Sequence, residues 1–311
     1  MRRLWLLTVV ALSLVSAAHA QGNLLLNARF DTDLSGWQNL FDRPVVWSEE
    51  DASGFSASGS ALITNVGPSN GGWPWTLHQC VPAEGQTDYH FGGQALIPPG
   101  QAENVQARIL IYSFASSDCS GDPLQIENEA GARVAAWGSI GAGFTSASTA
   151  RGLIMMLAVS KPEGVSADAS AYFDNLFLRR ANGTGTRAID EHLAGSWYNP
   201  MTNGQGFFLD ISPAINLFFG GWFTWTDVPG QYDWMTVQGS YVEDFALVTI
   251  YRTSGGAFND PTAVTTVPVG VAEFRFQSCT AGEVSIQFLG PDPAFVIPLQ
   301  RIAPPPGGCV E

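Results

Sequence analysis

Residues 195–225 read GSWYNPMTNGQGFFLDISPAINLFFGGWFTW, in which aromatic and aliphatic runs too short for helices are cut by explicit turn chemistry. Asn199-Pro200 and Asn203-Gly204 supply the fixed φ and the φ > 0 positions that a tight reversal needs. The spacing predicts a strand, a turn, a strand, a second turn around Ser212-Pro213, and then a long strand. The same rhythm runs on and predicts eight strands, over 195–199, 206–211, 217–226, 232–241, 245–253, 269–277, 283–289 and 295–302. Within it Ala272, Phe274 and Phe276 alternate with Glu273, Arg275 and Gln277, so one face is dry and the other wet. Short connectors leave no room for crossovers, which makes neighbours antiparallel, and eight strands in a meander remove both edges by closing into a barrel. Gly220-Gly221 inside the third strand predicts a bulge or corner.

The region before this segment also lacks helical periodicity. Strands are predicted at 60–65, 76–81, 88–96, 107–114, 153–159 and 171–178, separated by Gly, Pro, Ser and Asp. Many short strands with regular breaks indicate a sandwich, and the unbroken apolar run 153–159 fits a strand buried between two sheets. The composition shifts to small polar residues at ANGTGT, 181–186. The expected organisation is therefore a leader over 1–20, a sandwich over 21–180, a linker over 181–189 and a barrel-like domain over 190–311, all β.

The leader MRRLWLLTVVALSLVSAAHA has two arginines, an apolar run and small residues at Ala18 and Ala20, which is the form of a secretory signal. Its apolar stretch is shorter than the roughly 20 residues of a membrane span, and no later stretch is longer. A secreted or periplasmic location is expected, with no membrane span. Removing Arg2 and Arg3 from the 14 basic residues leaves 12 against 28 acidic ones, a net charge of −16, and Lys161 is the sole lysine. Such a surface repels phosphate backbones, so nucleic acid is excluded as a partner. Cys80, Cys119, Cys279 and Cys309 fall two to each half. In an oxidising compartment the local pairing, Cys80 with Cys119 and Cys279 with Cys309, is preferred among three connectivities.

The two ends of the first domain carry a resemblance. The opening NLLLNARF at 23–30 with Gly36-Trp37, and the closing YFDNLFL at 172–178, resemble carbohydrate-binding modules of the galactose-binding-like jelly-roll type. That resemblance implies a jelly roll with its first and last strands side by side. It also implies polysaccharide or glycan as partner and, in many members, a structural calcium near that junction, for which Asp31 and Asp174 are the candidate carboxylates. The alternative for these two is structural: Asp31 capping a turn and Asp174 bonding backbone at a strand end. No other cofactor is expected. The second domain, from GSWYNP through AEFRF, resembles a recurrent uncharacterised β-domain of exported proteobacterial proteins. Its G-x-WYN start is weakly similar to the first strand of the avidin family, in which the Asn after WY contributes to biotin binding; here that is Asn199 alone.

Sugar recognition needs exposed aromatic faces and planar hydrogen-bonding groups. Trp73 and Trp75 in the loop GGWPW are the first candidates, followed by Trp47 beside Glu49 and Glu50, and Trp137 in AAWGSIG. Each competes with burial in the core. In the barrel, Trp197, Tyr198, Trp222, Trp225 and Trp234 either line a cavity or fill it, filling being favoured. Chemistry is poorly supplied: His78, His90 and His192 are the histidines after the leader, and no GxSxG or HExxH occurs. Asp210, Asp227 and Asp233 are the carboxylates available to a glycoside hydrolase. The expectation is a secreted, non-catalytic glycan-binding protein, the alternatives being an envelope protein that binds another protein and, last, a hydrolase.

Overall fold

A computed structural model describes residues 23–56, 58–72, 74–131, 135–181, 187–289 and 294–309, so the leader and residues 182–186 of the linker lie outside the described residues. The chain is β throughout. Its first ten strands are β1 (Gln38–Asn39), β2 (Val45–Ser48), β3 (Ser60–Asn65), β4 (Leu77–Pro82), β5 (Asp88–Leu96), β6 (Gln106–Phe114), β7 (Gln125–Gly131), β8 (Gly138–Thr145), β9 (Gly152–Ser160) and β10 (Ala169–Arg180). They form two five-stranded sheets, in the orders β1-β4-β9-β6-β7 and β2-β3-β10-β5-β8, with every pairing antiparallel. This is the jelly-roll sandwich. Alternate residues of each sheet meet in its core, among them Ile109, Leu157, Phe91 and Phe173, all at most 1% exposed. The continuous apolar run of β9 is explained by cover on both sides. Leu153, Met155 and Leu157 face the core, while Met156 and Ala158 join a second cluster with Leu110, Tyr112 and Phe114 on the outer side of the first sheet.

The opening segment runs beside β10 without becoming a regular strand. Leu24 N–H donates to Leu178 O (2.8 Å) and Leu176 N–H to Ala28 O (2.8 Å), and Asn23 bonds β10 through its side chain at both Leu176 and Leu178. The disulfide Cys80–Cys119 ties β4 to the turn after β6.

The second domain is a closed barrel of β11 (Gly195–Tyr198), β12 (Gly206–Ser212), β13 (Leu217–Trp225), β14 (Tyr232–Val242), β15 (Phe245–Ala257), β16 (Asp260–Phe276), β17 (Ala281–Phe288) and β18 (Phe295–Arg301). Closure is made by β11 on β18, with Trp197 opposite Arg301. Arg301 seals that end: its guanidinium donates to the carbonyls of Cys279 (2.8 Å), Ala194 (2.9 Å) and His192 (2.6 Å), and it lies 4.8 Å from the Trp197 ring. Cys279–Cys309 anchors the Pro-rich tail to the turn between β16 and β17.

Two sequence expectations for the barrel need correction. β13 keeps an unbroken register through Gly220 and Gly221 to both neighbours, so there is no bulge. Gly220 faces inward, where a Cβ would stand 2.9 Å from Leu209 Cδ2 and 3.1 Å from Val237 Cγ2; it is glycine because its neighbours fill its space. The β15–β16 hairpin also runs past 253 and 269 to Ala257 and Asp260. Gly255 and Gly256 at φ near +80°, with Pro261 and Pro268, read as breakers but lie inside a hairpin whose register shifts at those places.

The barrel packs its outer wall against the outer face of the second sheet. Gly92, Gly141 and Gly143 stand there on β5 and β8, and a Cβ on Gly141 would come within 3.2 Å of Val242 Cγ1 of the barrel. Arg179 of β10 (1% exposed) donates to Asp244 in the β14–β15 turn at 2.8 Å, and His90 Nδ1 lies 2.6 Å from the same oxygen. The guanidinium sits 4.0 Å from the centre of the Phe245 ring, which meets Phe177 at 4.9 Å. Breaking a buried pair by removing one partner strands the other charge. Asp244→Ala is therefore expected to cost about 3 kcal/mol or more, read as a lower urea midpoint, and Arg179→Met with Asp244→Leu together should recover most of it.

Candidate functional site

Among the described residues, the candidates Trp47, Trp75 and Trp137 do not form one groove. Trp47, on β2, packs against the sandwich core, and its indole N–H donates to Phe30 O at 2.6 Å. A Cβ on Gly59 would touch its ring at 2.7 Å, so Trp47 is engaged in packing at this edge of the sandwich. Trp73 lies outside the described residues.

Trp75 is 41% exposed and stands edge-on against Tyr112 at 5.0 Å and 62°. Thr76, whose hydroxyl donates to Pro74 O (2.9 Å), fixes the turn that presents it. Tyr112 belongs to the outer side of the first sheet, where β6 also places Arg108. That guanidinium is ordered by neutral groups of the same face, donating to Ser160 Oγ (2.8 Å), Gln106 Oε1 (3.0 Å) and Asn128 Oδ1 (3.3 Å). Ile126, opposite Tyr112 in β7, is exposed. An indole on an aromatic base, on a sheet face that also carries an immobilised guanidinium and a carboxamide, is suited to stacking and hydrogen bonding along a flat polyhydroxylated ligand. His78 lies on this same face of β4, buried, and burial holds its pKa below the ordinary value.

Trp137, just before β8, is half-buried and faces the gap between sandwich and barrel, 6.3 Å from Tyr172.

The two calcium candidates are engaged elsewhere. Asp174 is fully buried, and its carboxylate accepts from the backbone N–H of Asn175 (2.6 Å) and Ala52 (3.0 Å). Burial first, and Asp51 second, raise its pKa well above the carboxylate range. Asp31 accepts from Ser58 Oγ (3.1 Å) and lies 3.7 Å from the Arg29 guanidinium. Among the described residues no group of three or more His, Cys, Asp or Glu side chains could hold a metal ion, so the donor set does not fit a side-chain calcium site.

In the barrel the tryptophans divide by parity. Trp197 and Trp222 point inward and are buried; Trp222 lies in a parallel stack between Phe207 (5.4 Å, 12°) and Phe288 (6.0 Å, 16°). Above that stack the barrel opens into a cavity of about 740 Å³, rimmed by Thr224, which donates to Gln205 (2.5 Å), and by Arg252 paired with Asp233 (2.8 Å). Trp225 and Trp234 point outward. With Phe208, Phe223 and Tyr232 they make an exposed aromatic wall, Phe223 lying opposite Trp234 and Trp225 opposite Tyr232. The signal for this wall was in the sequence: LFFGGWFTW puts aromatic residues at both parities, where a barrel strand normally has one polar face. Asn199 spends its carboxamide oxygen on Met201 N–H (2.9 Å) in the β11–β12 turn. Asp210 faces outward opposite Phe219, and Asp233 pairs with Thr224 five residues further along β13, roughly 16 Å away. A hydrolase pair needs about 5 to 9 Å.

No family model matches the sequence, and no curated protein sequence matches it. Among solved structures the chain is similar to the CBM22-1–GH10 modules of a Clostridium thermocellum endo-1,4-β-D-xylanase complexed with xylohexaose, at 12% identity and a TM-score of 0.37. That similarity covers 57% of this chain and 32% of that one, so the chain spans about a third of its length. It is similar also to a CBM4 structure (14% identity, 50% of this chain and 99% of that one, TM-score 0.33). A third is the CBM22-1–CBM22-2 tandem domain of a Paenibacillus barcinonensis xylanase (10% identity, 92% and 91%, TM-score 0.39).

The lowered pKa of His78 fixes a sign. The unfolded chain takes up a proton near pH 6.5 that the folded chain refuses, so stability falls as the pH drops through that value. His78→Gln is expected to flatten this part of the stability profile, measured by urea unfolding between pH 7.5 and 5.

Proposed function

We propose that this chain is an exported, non-catalytic glycan-binding protein whose ligand surface is the outer face of the first sheet, centred on Trp75. The observation that carries the reading is an asymmetry of the sandwich. The barrel covers the outer face of the second sheet, whereas the first keeps an exposed indole on Tyr112, on the face that carries Arg108 and Asn128. An exposed indole held on an aromatic base offers a ready stacking face. The net charge of −14 favours neutral over acidic polysaccharide. Two disulfides support an oxidising compartment.

A second reading, attachment to another envelope protein, draws on the aromatic wall of the barrel. Phe208, Phe223, Trp225, Tyr232 and Trp234 are each 45 to 79% exposed there. Affinity electrophoresis through gels containing xylan, mixed-linkage β-glucan or galactomannan separates the two. Retardation by at least one gel is expected, and Trp75→Ala should weaken it about tenfold, as loss of one stacking contact of 1 to 2 kcal/mol would. Free migration in all three gels, together with capture of a partner protein that Phe223→Ser abolishes, would favour the second reading.

A further inference from the structure

A cleft of about 300 Å³ lies between the second sheet and the barrel, at the small end of the range for ligand sites. Its sandwich side carries Trp137, Gln94, Asn175 and Ser53, and its barrel side Gln238 and Thr249; among the described residues no charged side chain lines it. Ile215, 61% exposed, stands at its edge, so the cleft opens to solvent.

The sandwich wall is built by an irregularity. The register of β10 on β5 shifts between Asp174 and Phe177, and within that bulge Asn175 adopts φ +49°, a left-handed conformation unusual outside glycine. The fully buried Asp174 braces both the bulge, through Asn175 N–H, and the 51–55 turn, through Ala52 N–H. Thus held, Asn175 Nδ2 donates to Gln94 Oε1 (2.6 Å) and Ser53 Oγ (3.1 Å). Asn175 Oδ1 and Gln94 Nε2 have no other hydrogen bond among the described residues, which leaves one acceptor and one donor side by side. The indole N–H of Trp137 is buried and has no acceptor among the described residues either. Elsewhere the same interface is closed by glycine and by the Arg179–Asp244 pair, so an open, neutral, hydrogen-bonding pocket beside an indole is a departure that packing does not explain.

We propose that this cleft is a second binding site, taking a single neutral pyranose, with Gln94 and Asn175 bonding adjacent hydroxyls, Trp137 forming the wall, and the site existing only where the two domains meet. The ligand class rests on the glycan reading above; the site is separate from Trp75. Saturation-transfer NMR on the full chain with D-glucose, D-galactose and D-xylose, and with D-glucuronate as the charged control, tests it. At least one neutral sugar should show saturable transfer in the millimolar range, weakened more than tenfold in Gln94→Ala and several-fold in Trp137→Phe, which keeps an aromatic ring but loses the N–H and the pyrrole half of the indole. Glucuronate should be at least fivefold weaker. Retention in polysaccharide gels, measured on the same variants, should be unchanged. No saturable transfer from any neutral sugar, indifference to both substitutions, or equal binding of glucuronate would overturn the cleft assignment, and would do so with gel retention intact. Loss of gel retention in the unaltered chain bears instead on the Trp75 reading.

Discussion

The Arg179–Asp244 pair decides what the rest of the surface is free to do. An arginine at 1% exposure needs its countercharge, and here that carboxylate comes from the turn between two barrel strands. Held over Phe245, the guanidinium locks the barrel against the second sheet, and Gly141 leaves room for Val242 of the barrel. A buried ion pair contributes little net stability but strongly disfavours any arrangement that separates its members. The pair therefore joins the two domains, and the barrel covers the outer face of one of the two sandwich sheets.

That constraint gives the aromatic residues their different fates. Trp47 faces the core and satisfies its N–H on Phe30, while Trp137 is drawn into the domain junction. Trp75 remains at the surface because its loop crosses the sheet that the barrel does not reach. Inside the barrel, Phe207, Trp222 and Phe288 stack into the core, and the outward parity of the same strands carries Phe208, Phe223 and Trp234. Asp174 shows the same logic in a polar group. Desolvation disfavours its charge, and two backbone amides partly offset that by donating to the carboxyl oxygens, which ties the group to the bulge.

Much of the architecture was legible from residue periodicity. The eight barrel strands follow from turn residues and alternation, and the local disulfide pairs are those the structure contains. What the pattern could not report was which face of a strand another domain covers. β8 was missed because GSIGAGFT has the glycines of a strand packed closely against a neighbouring domain, and β7 because QIENEAG is a charged edge. Asp31 and Asp174 looked equivalent in sequence; only the fold shows one exposed beside Arg29 and the other sealed under a bulge. Trp75 and Trp137 both stand in Gly-containing stretches, yet one meets Tyr112 and the other Tyr172 and the barrel, partners 35 or more residues away in sequence.

The central claim, that ligand meets this protein on the sheet face the barrel leaves open, is tested most directly by fluorine NMR of the chain labelled with 5-fluorotryptophan. The Trp75 resonance is assigned by its disappearance in Trp75→Phe, and neutral polysaccharides are then titrated in. The account predicts a saturable shift or broadening of the Trp75 signal while those of Trp47 and Trp197 stay fixed. A titration that moves only barrel tryptophans, or none, would contradict it.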